Sequence, residues 1–155
     1  MSPIVLEKKK YTFQDYLETP DDERYELIEG ELIITSPSPV TKHQRVSGNL
    51  EFEIRKFVKE NNLGEVFDAP YDVHFDDYNV VQPDILFISN DRLNIIGEKN
   101  TQGAPDLTIE IISESSTHKD LVKKKRLYEK FGVKEYWIVF PDEAIIEIYT
   151  LKNNT

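Results

Sequence analysis

Leu107-Thr108-Ile109-Glu110-Ile111-Ile112 is an apolar, β-branched run interrupted by one carboxylate. Its composition predicts a strand. A charged helix should follow from about Lys119 to Phe131 and stop at Gly132. Two more strands are expected beyond it, Glu135 to Phe140 and Ala144 to Leu151, around a Pro141-Asp142-Glu143 turn. Strand, helix and strand in that order indicate a mixed α/β (α+β) domain built on one central sheet.

The upstream segments fit the same class. Thr12-Phe13-Gln14-Asp15 has the form of a capping box, so a short helix should run through Phe13, Tyr16 and Leu17 and end by Pro20. Tyr25–Ile28 and Glu31–Thr35 flank Glu29-Gly30 and read as a β-hairpin. Ser36-Pro37-Ser38-Pro39 is a loop. A long helix should run from Thr41 or Lys42 to about Asn62, with Val46, Leu50, Ile54, Phe57 and Val58 on its apolar face and Gly64 ending it. Val66–Phe75 and Val80–Ser89 read as strands. There are no repeats or linkers, so 1–10 is expected to be a tail and 11–151 one domain.

The chain has 155 residues, with 19 Lys plus Arg, 29 Asp plus Glu and a formal net charge of -10. That balance argues against binding a polyanion with the whole surface. It leaves room for a small cationic or metal site. Cysteine is absent, which removes disulfides, thiolate zinc sites and a cysteine nucleophile. No apolar stretch is long enough for a membrane helix, and Lys8-Lys9-Lys10 follows the apolar patch Ile4-Val5-Leu6 rather than preceding it, unlike a secretory signal. A cytoplasmic protein with no membrane partner is expected. The Asn153-Asn154-Thr155 sequon then reads as chance.

The Lys119–Phe131 helix carries the most informative pattern. At 100° per residue, Leu121, Leu127, Tyr128 and Phe131 share one face. Lys119, Lys123, Arg126 and Lys130 fall on the opposite, solvated face. Lys124 lies inside the apolar arc, with Asp120 one turn earlier. Such a lysine either snorkels to water or aims into a polar site beneath the helix. The neighbouring strands favour the second reading. Asp84 follows Pro83 within Val80-Val81-Gln82-Pro83-Asp84-Ile85-Leu86-Phe87-Ile88, and Glu110 interrupts the next strand. Carboxylates inside such apolar strands are costly unless paired or bound to metal. Oxygen donors on successive strands suit Mg²⁺ or Mn²⁺, which would activate water and offset phosphoryl charge. The bland alternative is a buried Asp–Lys or Glu–Lys ion pair.

Pro83-Asp84, Glu110 and Lys124 resemble the PD-(D/E)XK nuclease superfamily in a variant form. The usual lysine two positions after the acidic residue is Ile112 here, and Lys124 fits a lysine moved to the following helix. The closer resemblance is to the restriction-endonuclease family called Uma-two. Its landmarks run Tyr25-Glu26-Leu27-Ile28-Glu29-Gly30-Glu31-Leu32, Ser36-Pro37, His43, Gln82-Pro83-Asp84-Ile85, Ala104-Pro105-Asp106-Leu107, Ile109-Glu110-Ile111-Ile112-Ser113, Ser116-Thr117, then Asp120, Lys124 and Tyr128, and Gly132-Val133-Lys134-Glu135-Tyr136-Trp137. Glu114 stands where the family often has proline.

The resemblance implies a restriction-endonuclease-like core, a central mixed sheet flanked by helices with an N-terminal helix and hairpin. It implies Mg²⁺-dependent hydrolysis of DNA, with Asp84 and Glu110 as metal ligands and Lys124 as the catalytic cation. Glu31 is the preferred further metal ligand, ahead of Glu26 and Glu29; the alternative is a solvent-facing strand residue. His43 would contact a phosphate or a bound water, or pack at the helix start. Asp120 would steady Lys124 or serve the helix N-terminus. Tyr128 would hydrogen-bond in the site or pack in the core. His74 and His118 lack partners at metal-ligand spacing, and Trp137 reads as core or an interface anchor.

Two competing readings are a catalytically inactive nuclease fold that binds a protein or nucleic acid, and a phosphoesterase with a small substrate. A homodimer is compatible with the fold. Positive charge gathers on the Lys124 helix, where Lys119, Lys123, Lys124, Lys125, Arg126, Lys130 and Lys134 outnumber Asp120 and Glu129. DNA binding should be weak and salt-sensitive.

Overall fold

The computed structural model describes residues 8–35, 40–113 and 118–152, and for Lys119 the backbone alone. The Ser36-to-Pro39 loop, Glu114, Ser116-Thr117, the sequon and the face assigned to the Lys119 side chain lie outside the described residues. The elements are α1 (Phe13–Leu17), β1 (Tyr25–Ile28), β2 (Glu31–Ile34), α2 (Thr41–Glu60), β3 (Gly64–Asp68), β4 (Asp72–Asp76), β5 (Asn79–Val81), β6 (Ile85–Ser89), a 3-10 helix (Asn90–Ile95), β7 (Asn100–Gln102), β8 (Leu107–Ile111), α3 (His118–Phe131), β9 (Glu135–Phe140) and β10 (Ile145–Thr150). No described helix is long and apolar enough to cross a membrane.

The mixed α/β class holds, but the strands form two sheets rather than one. One runs β2-β1-β5-β4-β7, the other β10-β9-β8-β6-β3. The difference arises where two expected strands break. The Val66–Phe75 run divides between Asp68 and Asp72, and β3 and β4 join different sheets. The Val80–Ser89 run divides at Gln82-Pro83-Asp84, because proline has no N–H to donate to a ladder. β5 therefore pairs with β1 and β4, and β6 with β3 and β8.

Helix α2 covers one face of the second sheet. Val46, Leu50, Ile54 and Val58 pack against Val66, Ile85, Leu107, Ile109, Ile111 and Val139. Phe57, expected on that face, is 60% exposed. Gly64 does not end α2 but opens β3. A Cβ there would lie 2.1 Å from the carbonyl oxygen of Ile88, so only glycine permits this strand approach. Asn62 takes the left-handed turn after the helix instead, at φ 51°. The other face of the sheet meets α3 and the first sheet: Leu127 and Tyr128 pack with Val73, Val81, Leu86, Ile88, Tyr136 and Ile138.

Candidate active site

The break after β5 places Asp84. β6 and β8 are antiparallel with Ile85 opposite Ile109. One residue further, Asp84 comes opposite Glu110, and residues so opposed project from the same face. Asp84 Oδ2 accepts the backbone N–H of Ile111 at 2.7 Å. Its Oδ1 lies 3.4 Å from Nε2 of His43, in the first turn of α2. One side chain thus ties two strands and a helix together.

Lys124 comes down from α3 onto the same place. Its ammonium lies 2.5 Å from Glu110 Oε1 and 2.9 Å from Glu26 Oε2, and its side chain is only 13% exposed. It does not snorkel to solvent. Tyr128, one turn further along α3, donates its hydroxyl to Glu110 Oε1 at 3.1 Å. Glu26 is held from below by the backbone N–H of Gln82, 2.7 Å from Oε2. The Gln82 side chain is itself fixed: its Nε2 donates to Asp72 and to the Tyr16 hydroxyl, and its Oε1 accepts from Arg24.

These groups open onto a cavity of about 470 Å³. His43, Asp84, Glu26, Glu110, Asp120 and Lys124 all contribute to its wall, with Arg24, Asp68 and a set of isoleucines. The electrostatics follow from burial. Loss of solvent pushes the Glu110 carboxyl well above the usual carboxylate range; Asp84 and Glu26 add to this, and Lys124 opposes it without cancelling it. Burial alone would lower the Lys124 ammonium, but Glu110 and Glu26 outweigh it and the pKa rises, so the cation is retained. The hydrogen bond to Asp84 raises His43 above the ordinary histidine value, against the opposing effect of burial. Burial and the Glu110 charge keep Tyr128 protonated and a donor.

Among the described residues, no three His, Asp or Glu side chains converge as a ready cage for a metal ion. The donor chemistry still fits a hard divalent cation. Glu26, Asp84 and Glu110 offer only oxygen, the donor such ions take. The carboxylates of the cavity wall, Glu26, Asp68, Asp84, Glu110 and Asp120, outnumber its fixed cations, Arg24 and Lys124, so charge remains for an ion to offset.

The structure gathers Asp84, Glu110, Lys124, His43, Asp120 and Tyr128 around one cavity or its floor. It does not bring Glu31 there. Glu31 pairs with Lys123 at 3.0 Å and is 42% exposed. The hairpin register explains this. Glu31 sits opposite Ile28 beside the turn, whereas Glu26 sits opposite Ile33, farther from the turn. Glu26, ranked below Glu31 from sequence, is the third carboxylate of the site. Its signal was alternation in the hairpin, which puts residues 26, 28, 31 and 33 on one face without showing which end meets the Gln82 backbone. Lys123, expected on the solvated face, is only 18% exposed because of its Glu31 partner. His74 stacks on Phe13 at 4.0 Å, and Trp137 packs beneath α2.

The Uma2 family model, described as "Putative restriction endonuclease", matches residues 13–155. The fold is similar to a crystal structure described as a putative nuclease of the DUF820 family from Anabaena variabilis ATCC 29413. The TM-score is 0.78 and the sequence identity 25%, over 92% of this chain and 81% of that one. No curated protein matches the sequence. The extent of the family match settles the assignment: the chain belongs to the Uma2 family.

Proposed function

We propose that this protein is a divalent-metal-dependent endodeoxyribonuclease. The observation that carries the reading is Lys124, a buried cation held between Glu26 and Glu110 beside Asp84 in one cavity. Family membership supplies the reaction class. Asp84, Glu110 and Glu26 would hold Mg²⁺ or Mn²⁺. Such an ion supplies Lewis acidity, easing deprotonation of water and offsetting charge on the phosphoryl group. Lys124 orients the nucleophile and stabilises the developing negative charge. His43 holds Asp84 in place, and Tyr128 holds Glu110. Asp120, in the cavity wall on the Lys124 helix, tempers the local positive charge.

The net charge of -10 favours a second reading, a nuclease fold that binds a partner without cutting. It also sets the expected behaviour of the enzyme: weak DNA binding that weakens further with salt. A two-fold dimer would present two sites to the two strands of a duplex.

The test is cleavage of supercoiled plasmid and of linear oligonucleotides at low salt, with Mg²⁺, Mn²⁺ or a chelator. Cleavage with metal alone is expected, with loss in Asp84→Asn, Glu110→Gln and Lys124→Ala. Folded protein that binds DNA but leaves every substrate intact supports the binding module instead. Turnover of a small phosphodiester but not of DNA supports the small-substrate reading.

A further inference from the structure

Among the described residues, β10 is the edge of its sheet, and the strand itself carries few of the features that block further pairing. Ile145, Ile146 and Ile148 are 52%, 43% and 54% exposed, and Glu147 is the one charge within the strand. Natural edges usually carry charges, prolines or bulges that block further pairing.

The phase of the ladder shows which backbone groups are free to pair. Thr150 lies opposite Glu135, so Leu151 lies opposite Lys134, and the Leu151 N–H donates to the Lys134 carbonyl at 2.8 Å. Antiparallel pairs alternate between hydrogen-bonded and non-hydrogen-bonded. Tyr149, Glu147 and Ile145 therefore turn their N–H and C=O toward β9, while Ile146, Ile148 and Thr150 turn theirs outward.

We infer that β10 pairs with β10 of a second copy of this chain, antiparallel, about a two-fold axis at Ile148. A hydrogen-bonded antiparallel pair must oppose outward-facing residues, so Ile148 meets Ile148 and Ile146 meets Thr150. Glu147 then falls opposite Tyr149, whose hydroxyl already donates to Glu147 within the strand at 2.7 Å. Centring the axis on Glu147 would oppose two like charges, which destabilises a strand pair. Centring it on Ile148 avoids this. It also carries Lys152 of each copy to the end of the other strand, beside Glu143 in the turn, where Asp142 already pairs with Lys42 at 2.6 Å. Charge and apolar side chains are thus self-complementary in one register, and the β10-β9-β8-β6-β3 sheets of the two copies become one continuous sheet.

The chain's lack of cysteine makes the register directly testable. Opposed residues in a hydrogen-bonded pair have Cα atoms about 5.5 Å apart, within disulfide range. Ile148→Cys should give a cross-linked dimer on mild oxidation. Thr150→Cys should not, because the two copies of residue 150 are roughly 13 Å apart in this register. Light scattering should give twice the chain mass for wild type, falling to the single mass on dilution. Ile148→Pro should stay monomeric with an unchanged circular dichroism spectrum, since it removes only an outward-facing N–H. Wild type of single mass at all concentrations, or cross-linking through residue 150 in place of 148, overturns the proposal and assigns this edge to another partner or register.

Discussion

The Lys124 ammonium lies 2.5 Å from Glu110 Oε1, joining α3 to the middle of β8. Both side chains are nearly closed off from solvent, at 13% and 9% exposure. Removing one member of a buried pair strands the other, at a cost of about 3–5 kcal/mol. Lys124→Met should therefore lower metal-free stability by about that amount in urea unfolding. Adding Glu110→Gln should recover part of it, because the stranded charge is gone. A Lys124→Met protein as stable as wild type would show that the pair is not desolvated as described.

A divalent ion that binds only the folded state stabilises it, by about 2.7 kcal/mol at a hundred times its Kd. Mg²⁺ or Mn²⁺ should raise the melting temperature of wild type. The rise should vanish in Asp84→Asn and Glu110→Gln and shrink in Glu26→Gln. Glu31→Gln should retain it in full, since Glu31 pairs with Lys123. A metal response that depends on Glu31 and ignores Glu26 would reverse the assignment of the third carboxylate.

Asp106 has a structural role with a pH signature. Burial would raise its carboxyl, but the Ser89 backbone N–H at 2.7 Å and Lys134 at 3.1 Å outweigh it and hold it below the ordinary value. A carboxyl depressed in the folded state stabilises the protein above its unfolded pKa of about 3.9. That contribution is lost as the pH falls through the lower folded value. Asp106→Asn should be less stable than wild type at pH 5 to 7, and the gap should close on acidification below about pH 4. Denaturant midpoints across that range check it; a gap that widens in acid contradicts the assignment.

Gly64→Ala tests the seam between β3 and β6. Its methyl carbon would sit 2.1 Å from the Ile88 carbonyl oxygen, and backbone cannot yield as a flexible side chain can. A loss of about 3 kcal/mol is expected from the forced separation of the strands. Near-neutral stability in urea unfolding would mean that the strands do not approach so closely.

Local patterns made much of the molecule legible. The Thr12–Asp15 capping box, the Glu29-Gly30 hairpin and the apolar faces of α2 and α3 each follow from a few neighbouring residues. The angular position of Lys124 placed it within the apolar arc, and its inward direction followed only once Asp84 and Glu110 on the neighbouring strands were read with it. The split of the strands into two sheets was not legible. Residues 80, 81, 85 and 86 are all fully buried, so the same apolar character resumes after Gln82-Pro83-Asp84 although the chain has crossed from one sheet to the other. β7 was missed because Asn100, Thr101 and Gln102 carry no apolar alternation. They pair instead with Asp72, Val73 and His74 through the backbone. Phe57 was misplaced because the helical wheel puts it on the apolar face, yet in that last turn it is the neighbouring Val58 that packs into the core. Glu26 and Glu31 could not be ranked because they share a face, and only tertiary pairing separates them.

The rate of Mg²⁺-dependent DNA cleavage by wild type and by Glu110→Gln, measured at low salt on one plasmid, tests the central claim most directly. The account predicts cleavage by wild type, none with chelator, and a loss of ~100-fold or more in the variant. Equal cleavage by the two proteins would contradict it.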